Sequence, residues 1–212
     1  MNHEVMTVHK ALAELKTLDA RITKAIRQGI YVTCNRHSNQ KIGGVNIAAY
    51  CDEMKSHYDS VAAMILRRNA LKRAVVLSNA RTEVEIAGQK YTVAEAIDMK
   101  NHGLDGDVLL VSTMEAQFSS TQKEIEQNSG EALQSRAENY VTGLYGGKDK
   151  VNGDEAKEQM KAYIAANTYD LVDPLNVKET MKAINDHISA FMAEVDGALS
   201  VSNALTNIEI VY

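Results

Sequence analysis

The sequence predicts a mainly α, α+β protein: an antiparallel bundle of long helices with one small β-sheet. Its 212 residues include one proline and no tryptophan, whereas proline averages about 5% of residues in proteins. Because proline breaks helices, its scarcity favours long uninterrupted ones. Apolar residues recur at spacings of three and four, as in amphipathic helices, and two short stretches alternate polar and apolar side chains, as strands do. We therefore expect a single elongated helical domain over residues 1–212, with the sheet at one pole.

Two apolar stripes predict the first two long helices. The first helix runs from Val5 to Gly29, where a glycine is a plausible stop. The second begins after Asn46, whose side chain can cap a helix, and continues to about Leu77. The stripe residues are Val5, Val8, Leu12, Leu15, Ile22 and Ile26 in the first helix, and Ile47, Cys51, Met54, Tyr58, Val61, Ile65, Leu71 and Val75 in the second.

The middle of the chain carries local signals for helix starts and breaks. The sequence "TVAE" at residues 92–95 has the pattern of a capping box, and it predicts a short helix to about Asn101 that Gly103 ends. A long helix follows over residues 107–145, and we expect it to bend or break at the Ser-Gly pair of residues 129–130.

The last third of the chain predicts a loop and two further helices. The loop is "GGKDKVNGD" over residues 146–154, and Asp154 can cap the helix after it. Asp173 or Asn176 caps the final helix, whose apolar residues form the cleanest heptad pattern in the chain. These heptad residues are Val177, Met181, Ile184, Ile188, Phe191, Val195 and Leu199.

One phrase occurs twice, as "SNARTEVEI" at residues 78–86 and as "SNALTNIEI" at residues 202–210, with six of nine positions identical. Both copies follow a long amphipathic helix and enter an alternating stretch. The repeat fits a local solution to the helix-to-strand transition that arose twice. It equally fits two neighbouring strands of one sheet, with residues 84–86 beside residues 208–210.

The predicted sheet is built from a hairpin and a third strand. Residues 82–93 form the hairpin if Gly88 and Gln89 make its turn, which places Ile86 opposite Tyr91. Val84 then faces Val93, and all four apolar residues lie on one face. A lone hairpin is marginally stable in water, so we expect residues 206–212 to add the third strand.

Charge and cysteine content narrow the class of protein. The net charge of −5 argues against nucleic acid as a partner, and two cysteines without an evident leader favour synthesis in the cytoplasm. No apolar run approaches the roughly 18 residues that a transmembrane helix requires.

Two kinds of metal-ligating side chain, thiol and imidazole, lie within a short stretch of the chain, at Cys34, His37, Cys51 and His57. Their spacing only loosely resembles that of a zinc finger. Cys51 and His57 fall on opposite sides of a helix, and Cys51 belongs to the apolar stripe, so we expect a buried structural cysteine. We assign no catalytic, cofactor or metal site. A small intracellular enzyme, metal-dependent or not, that uses Cys34, His37 and Asp52 remains the alternative.

Two groups of residues are candidates for contacts with other proteins. The basic cluster "RRNALKR" can meet an acidic partner, or it can be a solvated helix face. Strand edges at residues 30–34 and 206–212 can pair across subunits by strand addition. The candidate interaction residues are Arg67, Arg68, Lys72, Arg73, Thr206, Ile208, Ile210 and Tyr212.

The stretch "RRNALKRAVVLSNARTEVEIAGQKYTVAEAI" resembles helical proteins of bacteriophage and prophage structural gene clusters. This resemblance implies a non-enzymatic virion component, of the head, neck, tail or baseplate, that works as a homo-oligomer with other virion proteins. The shorter stretch "LRRNALK" resembles the septicolysin-like family, which implies a membrane-active protein as a further alternative.

Overall fold

The computed structural model describes residues 3–147 and 153–212. Within them the protein is mainly α with small antiparallel sheets, which confirms the predicted fold class. The chain forms two compact units, where the sequence predicts one domain. The first unit contains the described residues up to Gly103 together with Ala190–Tyr212, and the second contains those of Leu104–Ser189. The centre of the predicted loop, residues 148–152, lies outside the described residues.

The helices and strands have the following bounds. The helices are α1 (Val8–Gln28), α2 (Ile47–Asn79), α3 (Val93–Asp98), α4 (Asp105–Gln127), α5 (Gly130–Tyr145), α6 (Asp154–Asn167) and α7 (Val177–Leu205), and a π-helical segment, Met99–Gly103, follows α3. The strands are β1 (His3–Thr7), β2 (Lys41–Ile42), β3 (Val45–Asn46), β4 (Glu83–Ile86), β5 (Gln89–Thr92) and β6 (Asn207–Val211). They pair antiparallel as β1 with β6, β2 with β3, and β4 with β5.

The predicted helix starts at Asn46 and Thr92 are confirmed by their caps. The predicted cap at Asp154 is wrong, because Asp154 is the first residue of α6 and the capping position is Gly153, which makes no side-chain hydrogen bond. The Asn46 side chain accepts a hydrogen bond from the Ala48 N–H at 2.9 Å. Thr92 and Glu95 form both halves of the capping box that opens α3. The backbone and side-chain hydrogen bonds from Thr92 hold the pKa of Glu95 below its ordinary value. Each cap satisfies a backbone N–H that the helix itself leaves without a partner.

Of the two predicted caps of α7, Asp173 supplies the side-chain cap and Asn176 contributes its backbone carbonyl. The Asp173 carboxylate accepts the Val177 N–H, with each oxygen at 3.0 Å. The Asn176 carbonyl accepts the N–H groups of Glu179 at 2.9 Å and Thr180 at 3.0 Å. The predicted break at residues 129–130, within the helix expected over residues 107–145, is also confirmed, since α4 ends at Gln127 and α5 begins at Gly130.

Residues 5–7, which the apolar spacing assigns to the first helix, are not helical. They belong to strand β1 (His3–Thr7), and α1 begins only at Val8. The reason lies at Thr7, whose side-chain oxygen accepts the Lys10 N–H at 3.2 Å and so caps the helix there. Met6, one residue earlier, is buried opposite Ile208 of β6.

The predicted three-stranded sheet does not form. Strand β6 pairs with β1, and the β4–β5 hairpin is a separate two-stranded sheet, so Val84 and Ile208 lie in different sheets. The prediction failed because the true partner of β6 had been assigned to a helix. The segment Ile30–Cys34, predicted as strand-like, has no regular secondary structure, and Val32 within it is 85% exposed.

The hairpin itself is present, with its turn one residue earlier than predicted. The turn residues are Ala87 and Gly88, so Val84 lies opposite Tyr91 and Ile86 opposite Gln89. Both turn residues have positive φ, 50° at Ala87 and 75° at Gly88, as a type I′ turn requires. Val84, Ile86 and Tyr91 share the predicted face, because the register differs by an even number of residues. Val93, predicted opposite Val84, is instead the first residue of α3.

The largest core of the first unit joins α1, α2, β1 and β6. Helices α1 and α2 lie side by side and antiparallel, and the paired strands cover one end of their shared face. Burying each large aliphatic side chain contributes about 1.5–3 kcal/mol. The buried residues of this core are Met6, Val8, Ala11, Leu18, Ile22, Leu71, Val75, Ile208 and Ile210.

The second unit has a smaller core between α5 and α6. Leu133, Ala137 and Val141 recur every four residues on the buried side of α5. Ala156 of α6 is buried as well, and the rings of Tyr140 and Tyr163 stack with centroids 4.7 Å apart.

Candidate interaction site

The two copies of the repeated phrase occupy equivalent positions in two similar motifs. In the first copy the Thr82 N–H donates to the Ser78 carbonyl at 2.8 Å, and in the second the Thr206 N–H donates to the Ser202 carbonyl at 2.9 Å. Both phrases therefore close the last turn of a long helix in the same way before the strand begins.

The equivalence extends to the partner strand and to the helix after it. The Thr82 carbonyl accepts the N–H of Val93, the first residue of α3, at 2.8 Å. The Thr206 carbonyl accepts the N–H of Val8, the first residue of α1, at 2.9 Å. Both helices are capped by a threonine, and Val93 and Val8 are equally buried at 2% exposure. The chain thus contains two helix–strand–strand–helix motifs.

The two motifs differ in how their strands are connected. In the hairpin motif (α2, β4, β5 and α3), the turn Ala87–Gly88 joins the strands directly. In the second motif, which we call the clasp (α7, β6, β1 and α1), no turn joins the strands, because β1 and β6 come from opposite parts of the sequence. The clasp brings residues 3–7 and 207–211 together by noncovalent contacts alone.

An ion cluster around Arg67 of α2 secures the clasp. Its Nε and Nη2 donate to the two carboxylate oxygens of Glu14 on α1, at 2.5 and 2.9 Å. Its Nη1 donates to Glu4 of β1 at 2.8 Å and also to the hydroxyl of Tyr212. The guanidinium lies 5.1 Å from the centroid of the Tyr212 ring. One side chain therefore contacts α1, β1 and the residue that follows β6.

The charges in this cluster stabilise one another. The hydrogen bond from Arg67 lowers the pKa of Glu14, and this effect outweighs the opposing effect of burial. The hydrogen bonds to Glu14 and then to Glu4 raise the pKa of Arg67. The Arg67 side chain is only 22% exposed, so solvent screens these bonds less than it screens a surface ion pair.

The four basic residues of the predicted cluster fall into two groups, one ion-paired within the chain and one exposed. Arg67 is neutralised by Glu4 and Glu14, and Arg68 pairs with Asp19 of α1 at 2.9 Å. Lys72 and Arg73 are exposed on α2. The expectation of a basic surface open to an acidic partner is therefore wrong for Arg67, whose charge binds the chain to itself.

The predicted residues of the C-terminal strand also make contacts within the chain. Ile208 and Ile210 are 5% and 1% exposed, so their side chains belong to the core and not to a docking surface. The Thr206 carbonyl accepts a hydrogen bond from the Val8 N–H, and the Tyr212 hydroxyl accepts one from Arg67. The outward face of the clasp presents Val5, Glu209 and Val211, together with His3.

The cysteine and histidine residues do not come together as a metal site would require. Across residues 3–147 and 153–212, no three His, Cys, Asp or Glu side chains are grouped to hold a metal ion. Cys34 and Cys51 are both exposed, which corrects the expected burial of Cys51. His57 Nε2 lies 2.9 Å from the Ala25 carbonyl, near the end of α1 at Gln28. Because the two helices are antiparallel, the first turns of α2, which carry Cys51, extend past the end of α1 and are not covered by it.

A groove of about 620 Å³ lies along this uncovered part of α2. The sequence assigns Cys51, Met54 and Tyr58 to an apolar stripe, but Tyr58 is 61% exposed. Tyr31, from the segment after α1, is 44% exposed. The lining residues are Tyr31, Cys51, Met54, Lys55, Tyr58 and Asp59.

Sequence reasoning found Arg67 and Tyr212 but missed Glu4 and Glu14. These carboxylates lie 63 and 53 residues from Arg67 along the chain, so no local spacing connects them to it.

No known protein family matches this chain, and neither curated proteins nor solved structures give a significant match. Among the helices that the structure describes, none is long and apolar enough to cross a membrane. The fold and the site define an α+β protein in which an N-terminal and a C-terminal strand close one sheet.

Proposed function

We propose that this protein is a non-enzymatic structural component that works by assembling with other copies of itself and with other proteins. Apolar side chains left uncovered on its helices support the proposal. Large exposed apolar patches on a protein surface mark sites of contact with other molecules.

The observation that carries the proposal is the exposure of helix α4. None of its 23 residues is buried. Val108, Leu109 and Leu110 are 53%, 68% and 45% exposed. A helix of this length gains most of its stability in a protein from packing an apolar face. In α4 that face is only half-buried, at Val111, Met114 and Phe118. A partner that covers the exposed residues would supply that packing.

The connection between α6 and α7 adds a second apolar surface. Tyr169, Leu171, Val172 and Leu175 are 46%, 45%, 85% and 59% exposed. Loops are usually polar, and four large apolar residues in one short connection favour contact with another protein.

The proposed place of assembly is a bacteriophage virion, in its head, neck, tail or baseplate. This step rests on the resemblance carried by residues 67–97. Uncovered apolar helices are consistent with it, because permanent assemblies use large hydrophobic interfaces.

The contribution of α4 is tested by comparing the wild-type protein with the V108S/L109S variant in size-exclusion chromatography with light scattering. We expect wild-type oligomers and a shift of the variant toward the mass of one chain. The control is E115S/Q117S, which changes two exposed polar residues of the same helix and should leave the oligomers intact. A wild-type protein that is monomeric at every concentration contradicts the proposal.

The virion location needs a separate experiment. Particles purified after prophage induction are analysed by mass spectrometry, and we expect peptides of this chain in a fixed ratio to other particle proteins. Their absence from intact particles would refute this part of the proposal.

A further inference from the structure

We propose that the clasp also closes between copies of this chain: residues 206–212 of one copy take, on a second copy, the place that they occupy on their own chain. This inference rests on the proposed assembly function and specifies its partner and its segment. The partner is a second copy of the same protein.

The first support is that a turn joins the strands in the hairpin motif but not in the clasp. The hairpin motif needs its two strands in one chain, because the Ala87–Gly88 turn joins them. The clasp has the same hydrogen bonds and the same strand pairing, but no such connection. Nothing in the clasp therefore requires that β1 and β6 belong to the same molecule.

The surface that receives the strand is made entirely of residues outside residues 206–212. It consists of β1, the first turn of α1 and the part of α2 that carries Arg67, Leu71 and Val75. The strand that it receives contributes Ile208 and Ile210 to the core, and Tyr212 to Arg67. An exchanged strand would make these same contacts, so exchange needs no new interface and its main unfavourable contribution is the entropy of association.

The joint before the strand is suited to opening. Thr206 alone separates the end of α7 from β6. No residue of α7 after Val195 is buried, and Val201 and Leu205 are 59% and 75% exposed. Segments with few buried contacts are the ones that open most readily.

The geometry also indicates the kinds of assembly that exchange can form. Each copy has one strand to give and one surface to receive, and these are different parts of the molecule. Such a contact closes as a reciprocal dimer or a ring, or continues as an open chain of copies.

Disulfide trapping at the clasp tests the inference. The bond from the Val8 N–H to the Thr206 carbonyl makes Thr7–Asn207 a non-hydrogen-bonded pair, and the alternation along the strands makes Val5–Glu209 another. Side chains in such pairs are close enough for a disulfide. In a C34S/C51S background, a V5C chain with one affinity tag is co-expressed with an E209C chain that carries a different tag, and the mixture is oxidised.

The hairpin motif supplies a matched control. Glu85 and Lys90 are the equivalent non-hydrogen-bonded pair there, because the Val93 N–H donates to the Thr82 carbonyl in the same way. An E85C chain co-expressed with a K90C chain should give no disulfide between chains. A second clasp pair, H3C with V211C, repeats the test at another position of the same sheet, in case the V5C or E209C substitution disturbs the strands locally.

We expect a disulfide-linked product that carries both tags from each clasp pair and none from the hairpin pair. The inference is overturned if wild-type oligomers form while the clasp pairs give no two-tag product, and the V5C/E209C double variant closes only within single chains. That result leaves the proposed assembly function standing. A wild-type protein that is monomeric throughout overturns both.

Discussion

Arg67 connects three parts of the protein that are distant in sequence: Glu4 in β1, Glu14 in α1 and Tyr212 after β6. Its place in a basic cluster suggests a solvated or partner-binding residue. The partners that decide its role lie 53 to 145 residues away along the chain. The residue type was visible in the sequence, but this long-range geometry was not.

Replacing Arg67 by methionine should destabilise the protein by about 1–2 kcal/mol, because it leaves Glu4 and Glu14 without their charged donor. This value is below that of a fully buried pair, since the Arg67 side chain is 22% exposed. Urea unfolding followed by circular dichroism measures it. The control R73M changes an exposed arginine of the same helix and should stay within about 0.5 kcal/mol of the wild type. Equal effects of the two substitutions would argue against the ion cluster.

The Glu14–Arg67 bond should make stability depend on pH. Because the folded state lowers the pKa of Glu14 below its ordinary value of 4.5, the bond contributes stability above that value, and the contribution is lost as pH falls through the folded pKa. The free energy of unfolding of the wild type should therefore exceed that of E14Q at neutral pH, and the difference should shrink in acid. A difference that stays constant from about pH 7 to about pH 3 would contradict this assignment.

At the scale of elements, the two motifs explain part of the identity in the repeated phrase. Ile86 and Ile210 are identical because both are buried, at 0% and 1% exposure. The bonds that close each helix are accepted by the backbone carbonyls of Ser78 and Ser202, so they show the shared conformation but do not require serine. Glu85 and Glu209 are also identical and exposed, and nothing in the structure explains their identity. The repeat therefore reports equivalent local structure in two separate sheets.

The threonine caps of the two motifs should contribute similarly. Replacing either Thr7 or Thr92 by alanine removes a side-chain acceptor from the start of a helix, which costs about 1 kcal/mol. Thermal or urea unfolding of T7A and T92A measures both losses. The exposed Thr113 in the middle of α4 provides a control, T113A, with a much smaller expected effect. A large loss at one cap with none at the other would show that the motifs are not equivalent in energy.

Helices and caps were predictable from the sequence because their signals are local. The heptad spacing of α7, the cap at Asn46 and the capping box at Thr92 act within a few residues. Strand pairing was predictable only where a turn joins the strands. The pairing of β1 with β6 could not be predicted, because Val5 and Val8 have the spacing of one helix face. In the structure Val5 lies in β1, Val8 begins α1, and Thr7 between them is the helix cap.

At the scale of the whole molecule, the uncovered apolar residues favour assembly. The sequence identified the apolar stripes, but it does not say which of them the chain covers itself. The structure buries Leu71 and Val75 of α2. It leaves exposed Leu12 and Ile26 of α1 and Val108, Leu109 and Leu110 of α4. The central claim is that other protein molecules cover the remainder.

Sedimentation equilibrium of the purified wild-type protein over a wide range of concentrations tests that claim most directly. Assembly predicts a molar mass that rises with concentration to a multiple of the mass of one chain. A molar mass equal to that of one chain over the whole range would contradict it.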